Sequence, residues 1–132
     1  MEIDVEVVRG AYAAFARRDL PALLDVMHPD IEFVEPAGSH FAGTHRGHEA
    51  AIAEVLVTLP ENASEFHADA EEFLDAGEEV VVLGHHRGQS AVTGESFEVP
   101  FAHVWTMRDG LAVRFRSYHD TAKLRAALSG SQ

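Results

Sequence analysis

The stretch from Phe97 to Met107, FEVPFAHVWTM, constrains the fold more than any other part of the chain. Read as a strand, it places Phe97, Val99, Phe101, His103, Trp105 and Met107 on one face by period-two alternation. Large apolar side chains with one imidazole among them make a core surface or a pocket wall, and a histidine set there needs hydrogen-bond partners. Pro100 sits on the opposite face in mid-strand. Proline cannot donate to a sheet ladder, so this position predicts a bulge or pairing that begins only after it.

The rest of the chain supplies elements that can cover such a face. Val5, Val8, Tyr12 and Phe15 recur at spacings of three and four, which predicts an amphipathic helix over 4–17 with Asp4 as N-cap and Tyr12 facing inward. Asp19 can cap a second, short helix with the stripe Leu20, Leu23, Leu24 and Met27, which Pro29 closes. At Ile31 the period changes to two, so Ile31, Phe33 and Glu35 share a strand face that ends on a carboxylate. Residues 36–47 read as a loop around a short strand near Phe41. From His48 the positions Ile52, Val55, Leu56 and Leu59 fit a third helix, ended by Pro60.

The second half reads as strands. These cover 66–74 and 80–88, a loop over 88–95, the strand of Phe97, a tight turn at Arg108-Asp109-Gly110, and Leu111 to His119. In that last strand alternation groups Val113, Phe115, Ser117 and His119 against Arg114, Arg116 and Tyr118. Asp120-Thr121 starts a short final helix with Leu124 and Leu128. Three helices in the first half, a curved antiparallel sheet and a short C-terminal helix make an α+β chain, read as one domain over 1–132.

Charge and composition narrow the function. Ten Lys and Arg against 22 Asp and Glu give a net charge of −12, which disfavours nucleic acid and anionic membrane surfaces as partners. Without cysteine there is no thiolate chemistry and no Cys-based zinc site. No run reaches the length of a membrane span, and the N-terminus MEIDVEVVRG lacks a basic start before an apolar run, so the expected location is the cytoplasm. His40, His45, His48 and the pair His85-His86 show no HExxH-like spacing, so no metal is expected. Alternation alone leaves open which of His85 and His86 faces inward.

Four segments, AYAAFARRDLPALLDVMHPDIEFVEPAG, FAGTHRGHEAAI, VWTMRDG and SYHDTAKL, resemble the cone-shaped nuclear transport factor 2-like superfamily, in particular its SnoaL-like branch. Ketosteroid isomerase and limonene epoxide hydrolase are relatives there. The resemblance implies helices packed on the concave side of a strongly bent sheet, a pocket between them, and a homodimer. It also implies roles. Glu35 falls where ketosteroid isomerase has its Asp base, His103 where that enzyme has a protonated Asp donor, and Tyr12 near its oxyanion tyrosine. Ser117 falls where the epoxide hydrolase has a catalytic Asp, which argues against epoxide hydrolysis. The polyketide cyclase branch implies an acid/base pair, here His103 with Asp120.

A carboxylate closing an apolar face loses solvation, which suits Glu35 to act as a general base at neutral pH. Proton abstraction next to a carbonyl develops an enolate oxygen, and donors at His103 and Tyr12 could stabilise it. That chemistry needs no metal or organic cofactor. Phe33, Phe101, Trp105, Phe115, Ser117 and His119 are the expected ligand contacts, and the expected ligand is a small, apolar, carbonyl-bearing molecule. The alternative is a non-catalytic ligand-binding or interaction module on the same scaffold.

Overall fold

A computed structural model describes residues 2–37, 42–58, 63–90 and 93–129. Among them the chain runs α1 (Glu2–Ala16), α2 (Leu20–Asp25), β1 (Met27–Glu35), β2 (Gly43–Arg46), α3 (His48–Thr58), β3 (Ala63–Ala76), β4 (Glu79–Ser90), β5 (Ser96–Arg108), β6 (Leu111–His119) and α4 (Thr121–Ser129). The strands form one sheet in the order β2-β1-β6-β5-β4-β3. Neighbours pair antiparallel except β1 and β6, which run parallel. A parallel pair needs a long crossover, and here it is everything between β1 and β6.

Several boundaries differ from the sequence reading for local reasons. Asp4 lies inside α1, which already begins at Glu2, so it does not cap that helix. Asp19 does cap α2, its Oδ1 accepting from the Ala22 N–H at 3.1 Å, with Pro21 in the first turn. That helix ends at Asp25, and Met27 and Pro29 belong to β1 instead. The switch occurs because the Val26 carbonyl accepts from the Ala112 N–H at 2.9 Å, drawing the chain into register beside β6. The strand expected near Phe41 within 36–47 is β2, which begins two residues after it at Gly43, and Phe41 itself lies outside the described residues. So do Leu59, Pro60 and the side chains of Val55, Leu56 and Leu128. Gly88 to Ser90, read as loop, continue β4 because Gln89 pairs with Ser96.

The hairpin between β5 and β6 turns on Asp109 and Gly110, with φ of 53° and 80°. Two left-handed residues match the twist of the flanking strands, which is why Asp-Gly works here. One bulge then corrects the alternation in β6. Thr106 pairs with Arg114 and Met107 with Ala112, so Val113 is the extra residue. Ala112, buried, takes the inward place expected of Val113, while Phe115 and Ser117 keep theirs. At Pro100 there is no bulge: β4 pairs straight through, His85 opposite Pro100, and pairing with β6 begins one residue later at Phe101.

The core lies on one face of the sheet. Val8, Ala11 and Ala14 of α1, Leu23 of α2 and Ala51 of α3 pack there against Ile31, Phe33, Val80, Val82, Trp105, Met107 and Phe115. Burying side chains such as Ile31, Val80 and Val82 stabilises by about 1.5–3 kcal/mol each. Gly84 permits the bend of the long strands. A Cβ there would run into the Asp69 carbonyl oxygen of β3 and stand 2.9 Å from Phe101 Cζ. Beside it Ala70 pairs with Gly84 and Glu72 with Leu83, so Glu71 is bulged out of β3. Bulge and glycine together let the sheet curl over the core.

Candidate functional site

The sheet register assembles the site row by row. Trp105 of β5 pairs with Phe115 of β6, which pairs with Phe33 of β1, giving an aromatic row. One step along, His103 pairs with Ser117, and Glu35 stands one residue past the last β1–β6 pair, Val34 with Arg116. In the next row Phe101 pairs with His119 and with Gly84. Glu35 is 8% exposed, Ser117 4% and His103 5%, so three polar side chains are buried on one apolar face. β6 separates the strands of Glu35 and His103, which sets their backbones about 10 Å apart.

His103 is held by ring contacts and by a hydrogen bond. Its ring stacks on Phe101 with centroids 3.9 Å apart and planes at 11°, and lies 4.8 Å from the Phe115 ring. Nδ1 is 2.6 Å from the Tyr12 hydroxyl, and the Trp105 indole N–H donates to the same hydroxyl at 3.0 Å. Tyr12 arrives from α1, held by edge-on contact with Phe73 at 5.7 Å. The inward orientation expected for Tyr12 is therefore met, and its hydroxyl is engaged with His103 and Trp105.

The inward member of the histidine pair is His86. Its ring lies 4.7 Å from Phe101, 5.6 Å from His103 and 5.7 Å from His119. His85 points to the other face, where Nδ1 meets the Glu71 carboxylate at 3.1 Å. Three imidazoles thus adjoin one another, and protonation of any one is opposed. Burial, and then the charge of His119, pushes His86 down to about 3. Burial, then His86 and His119, holds His103 well below the usual imidazole range. His119 is lowered by burial, partly offset by the Asp120 carboxylate. Burial therefore favours the uncharged form of all three.

Ser117 Oγ lies 3.3 Å from His119 Nδ1, while Nε2 of His119 is buried with no hydrogen-bond partner among the described residues. Asp120 caps α4, its Oδ1 accepting from the Lys123 N–H at 3.0 Å. The histidines of β2 and α3 serve the scaffold: His48 Nε2 meets the Met27 carbonyl at 3.0 Å and His45 Nε2 the Ala42 carbonyl at 3.1 Å. His40 lies outside the described residues. Among the described residues no group of three or more His, Asp or Glu is arranged to hold a metal ion, and no helix is long and apolar enough to cross a membrane.

The chain itself is similar to known proteins. The family model described as a SnoaL-like domain matches residues 8–115. The chain belongs to the SnoaL-like family. Among solved structures, this SnoaL-like chain is similar to a nuclear transport factor 2-like protein of unknown function from Burkholderia pseudomallei, at 35% identity and a TM-score of 0.88, covering 98% of this chain and 99% of that one. It is also similar to TerC, crystallised with polyporic acid, at 33% identity and a TM-score of 0.86 over 96% of this chain and 98% of that one. An uncharacterized protein of Mycobacterium tuberculosis is 38% identical over 52 residues, 39% of this chain and 40% of the relative. The curated relative is thus matched over less than half its length.

Proposed function

We propose that this SnoaL-like protein binds a small, apolar, carbonyl-bearing molecule and moves a proton next to the carbonyl, as a cofactor-independent isomerase or cyclase. The observation that carries the reading is the buried His103, uncharged and oriented by Tyr12, on the same sheet face as the buried carboxylate of Glu35. Glu35 takes the proton as general base. His103 donates to the oxygen as it gains enolate character, and Ser117 and His119 meet the far end of the ligand. Phe33, Phe101, Trp105 and Phe115 supply the apolar wall. Asp120, at the end of β6, acts from outside this wall on His119. That a 33% identical relative crystallises with polyporic acid supports a ligand of small-molecule class.

The separation of Glu35 and His103 by a whole strand favours a second reading, a binding module without turnover. Exchange of α-protons for deuterium separates the two. With 2-tetralone as probe in deuterated buffer, the enzyme reading expects faster exchange by proton NMR with wild type than with Glu35→Gln. Quenching of the single tryptophan by the same ketone, with no accelerated exchange, would establish the binding module instead.

We further propose a homodimer through the outer sheet face. Val34, Val81, Leu83, Ala102 and Val104 form a partly buried apolar band there. Charge pairs flank it, with Arg114 on Glu32 at 2.7 Å and Arg116 on Glu79 at 2.7 Å.

A further inference from the structure

Trp105, Tyr12 and His103 are joined in series, and the donor inventory gives the series a direction. An indole N–H can only donate, so the Tyr12 oxygen accepts from Trp105 at 3.0 Å. Toward His103 two arrangements compete, the phenol O–H donating to Nδ1 or an Nδ1–H donating to the phenol. Nitrogen donors cluster at about 2.9–3.0 Å and hydroxyl donors near 2.7 Å. The observed 2.6 Å belongs with the hydroxyl donor. Polarisation points the same way, since an oxygen that already accepts from an indole becomes a better donor and a poorer second acceptor.

Nδ1 of His103 is then an acceptor, and the ring's one proton sits on Nε2. Among the described residues none hydrogen-bonds Nε2. The ring itself is clamped by Phe101 at 3.9 Å on one side and Phe115 at 4.8 Å. We infer that Tyr12 and Trp105 are positioning residues that fix His103 in the Nε2–H tautomer, so that the ring offers one directed N–H donor to an acceptor oxygen of the proposed ligand. Burial supports this, because it keeps a second proton off the ring at neutral pH. The selectivity that results favours ketone or quinone oxygen and disfavours an ammonium group, which would face a donor with a donor.

The ligand consequence rests on the pocket reading above, whereas the tautomer does not, so its test uses no ligand. In protein labelled with nitrogen-15 histidine, the His103 resonances are assigned by their loss in His103→Gln. Long-range nitrogen–proton correlation near pH 7.5 is expected to show a pyrrole-type Nε2 and a pyridine-type Nδ1. Tyr12→Phe should move both toward averaged positions, and Trp105→Phe, which keeps the aromatic bulk, should do so by less. A proton on Nδ1 in the wild type overturns the inference, as does a Tyr12→Phe pattern identical to wild type. Should Tyr12→Phe fail to fold, the wild-type spectrum still decides the tautomer and Trp105→Phe the relay. Failed ketone exchange with an intact Nε2–H pattern would count against the proposed reaction and leave the relay standing.

Discussion

The phenolic oxygen of Tyr12, in the first helix, stands 2.6 Å from Nδ1 of His103, in the fifth strand. This contact ties α1 to the middle of the sheet and joins a wall of aromatic rings to the buried polar groups of the site. Its consequences for activity and stability can be measured separately.

Glu35→Gln is nearly isosteric and sits at the end of β1. It should fold as wild type does and lower the rate of ketone α-proton exchange by about 10²- to 10⁴-fold, the range of a lost general base. Circular dichroism checks the fold and NMR the exchange. Undiminished exchange in this variant would remove Glu35 from the mechanism.

Stability should fall in mild acid. The imidazole of His86 is near 3 in the folded protein against an ordinary 6.5, and His103 is also depressed. The unfolded chain therefore binds protons below about pH 6.5 that the folded chain refuses, so stability is complete above that pH and is lost as pH drops toward 3. Each such imidazole contributes a slope of at most about 1.4 kcal/mol per pH unit. Between about pH 7.5 and 5 the melting temperature should drop by about 5 °C or more. His86→Gln should flatten the curve, and a wild-type profile already flat over this range would contradict the neutral cluster.

Asp120 has two assignable roles, and two substitutions tell them apart. Asparagine can cap as aspartate does, so Asp120→Asn should keep the melting temperature, while Asp120→Ala should cost about 0.5–2 kcal/mol through the lost Lys123 N–H bond. Exchange by Asp120→Asn is expected to fall less than in Glu35→Gln. A loss equal to that of Glu35→Gln would move the acid/base role to the His103 and Asp120 pair.

Gly84→Ala should be among the more damaging single-methyl changes. The added carbon meets the backbone of Asp69, which cannot move without unpairing β3, and Phe101 Cζ at 2.9 Å. About 1–3 kcal/mol of destabilisation is expected from overpacking, read by urea unfolding. A wild-type midpoint would show that the bend does not need glycine.

Val104→Asp places a charge in the middle of the outer band. Light scattering should report a dimer for wild type and a monomer for the variant, with His103, on the opposite face, undisturbed. A monomeric wild type would refute the interface.

The aromatic wall was legible from sequence because Phe97 to Met107 and Ile31 to Glu35 carry unbroken alternation, and alternation survives when a strand has no bulge. It failed at Val113, where one extra residue shifts the count without any mark in the local composition. His86 was hidden for a different reason. Val80 and Val82 on one side of β4, and Val81 and Leu83 on the other, are equally apolar, so only the pairing of Val82 with His103 reveals which histidine turns inward. The link from Trp105 through Tyr12 to His103 crosses two elements far apart in the chain, and no local pattern encodes it.

β5 outruns β6, and among the described residues the stretch from Ser96 to Pro100 has a strand neighbour on one side only. Such a bare edge invites other chains to add to it. Here Leu124 of α4 packs on Val99, and Phe97 and Phe15 pack against the same small cluster, so a helix covers one face of this bare stretch. Pro100 lacks the N–H that an incoming strand would need. The opening at this end of the sheet therefore comes with its own protection against edge-to-edge aggregation, and a chain that lost both α4 and Pro100 should be the first to precipitate.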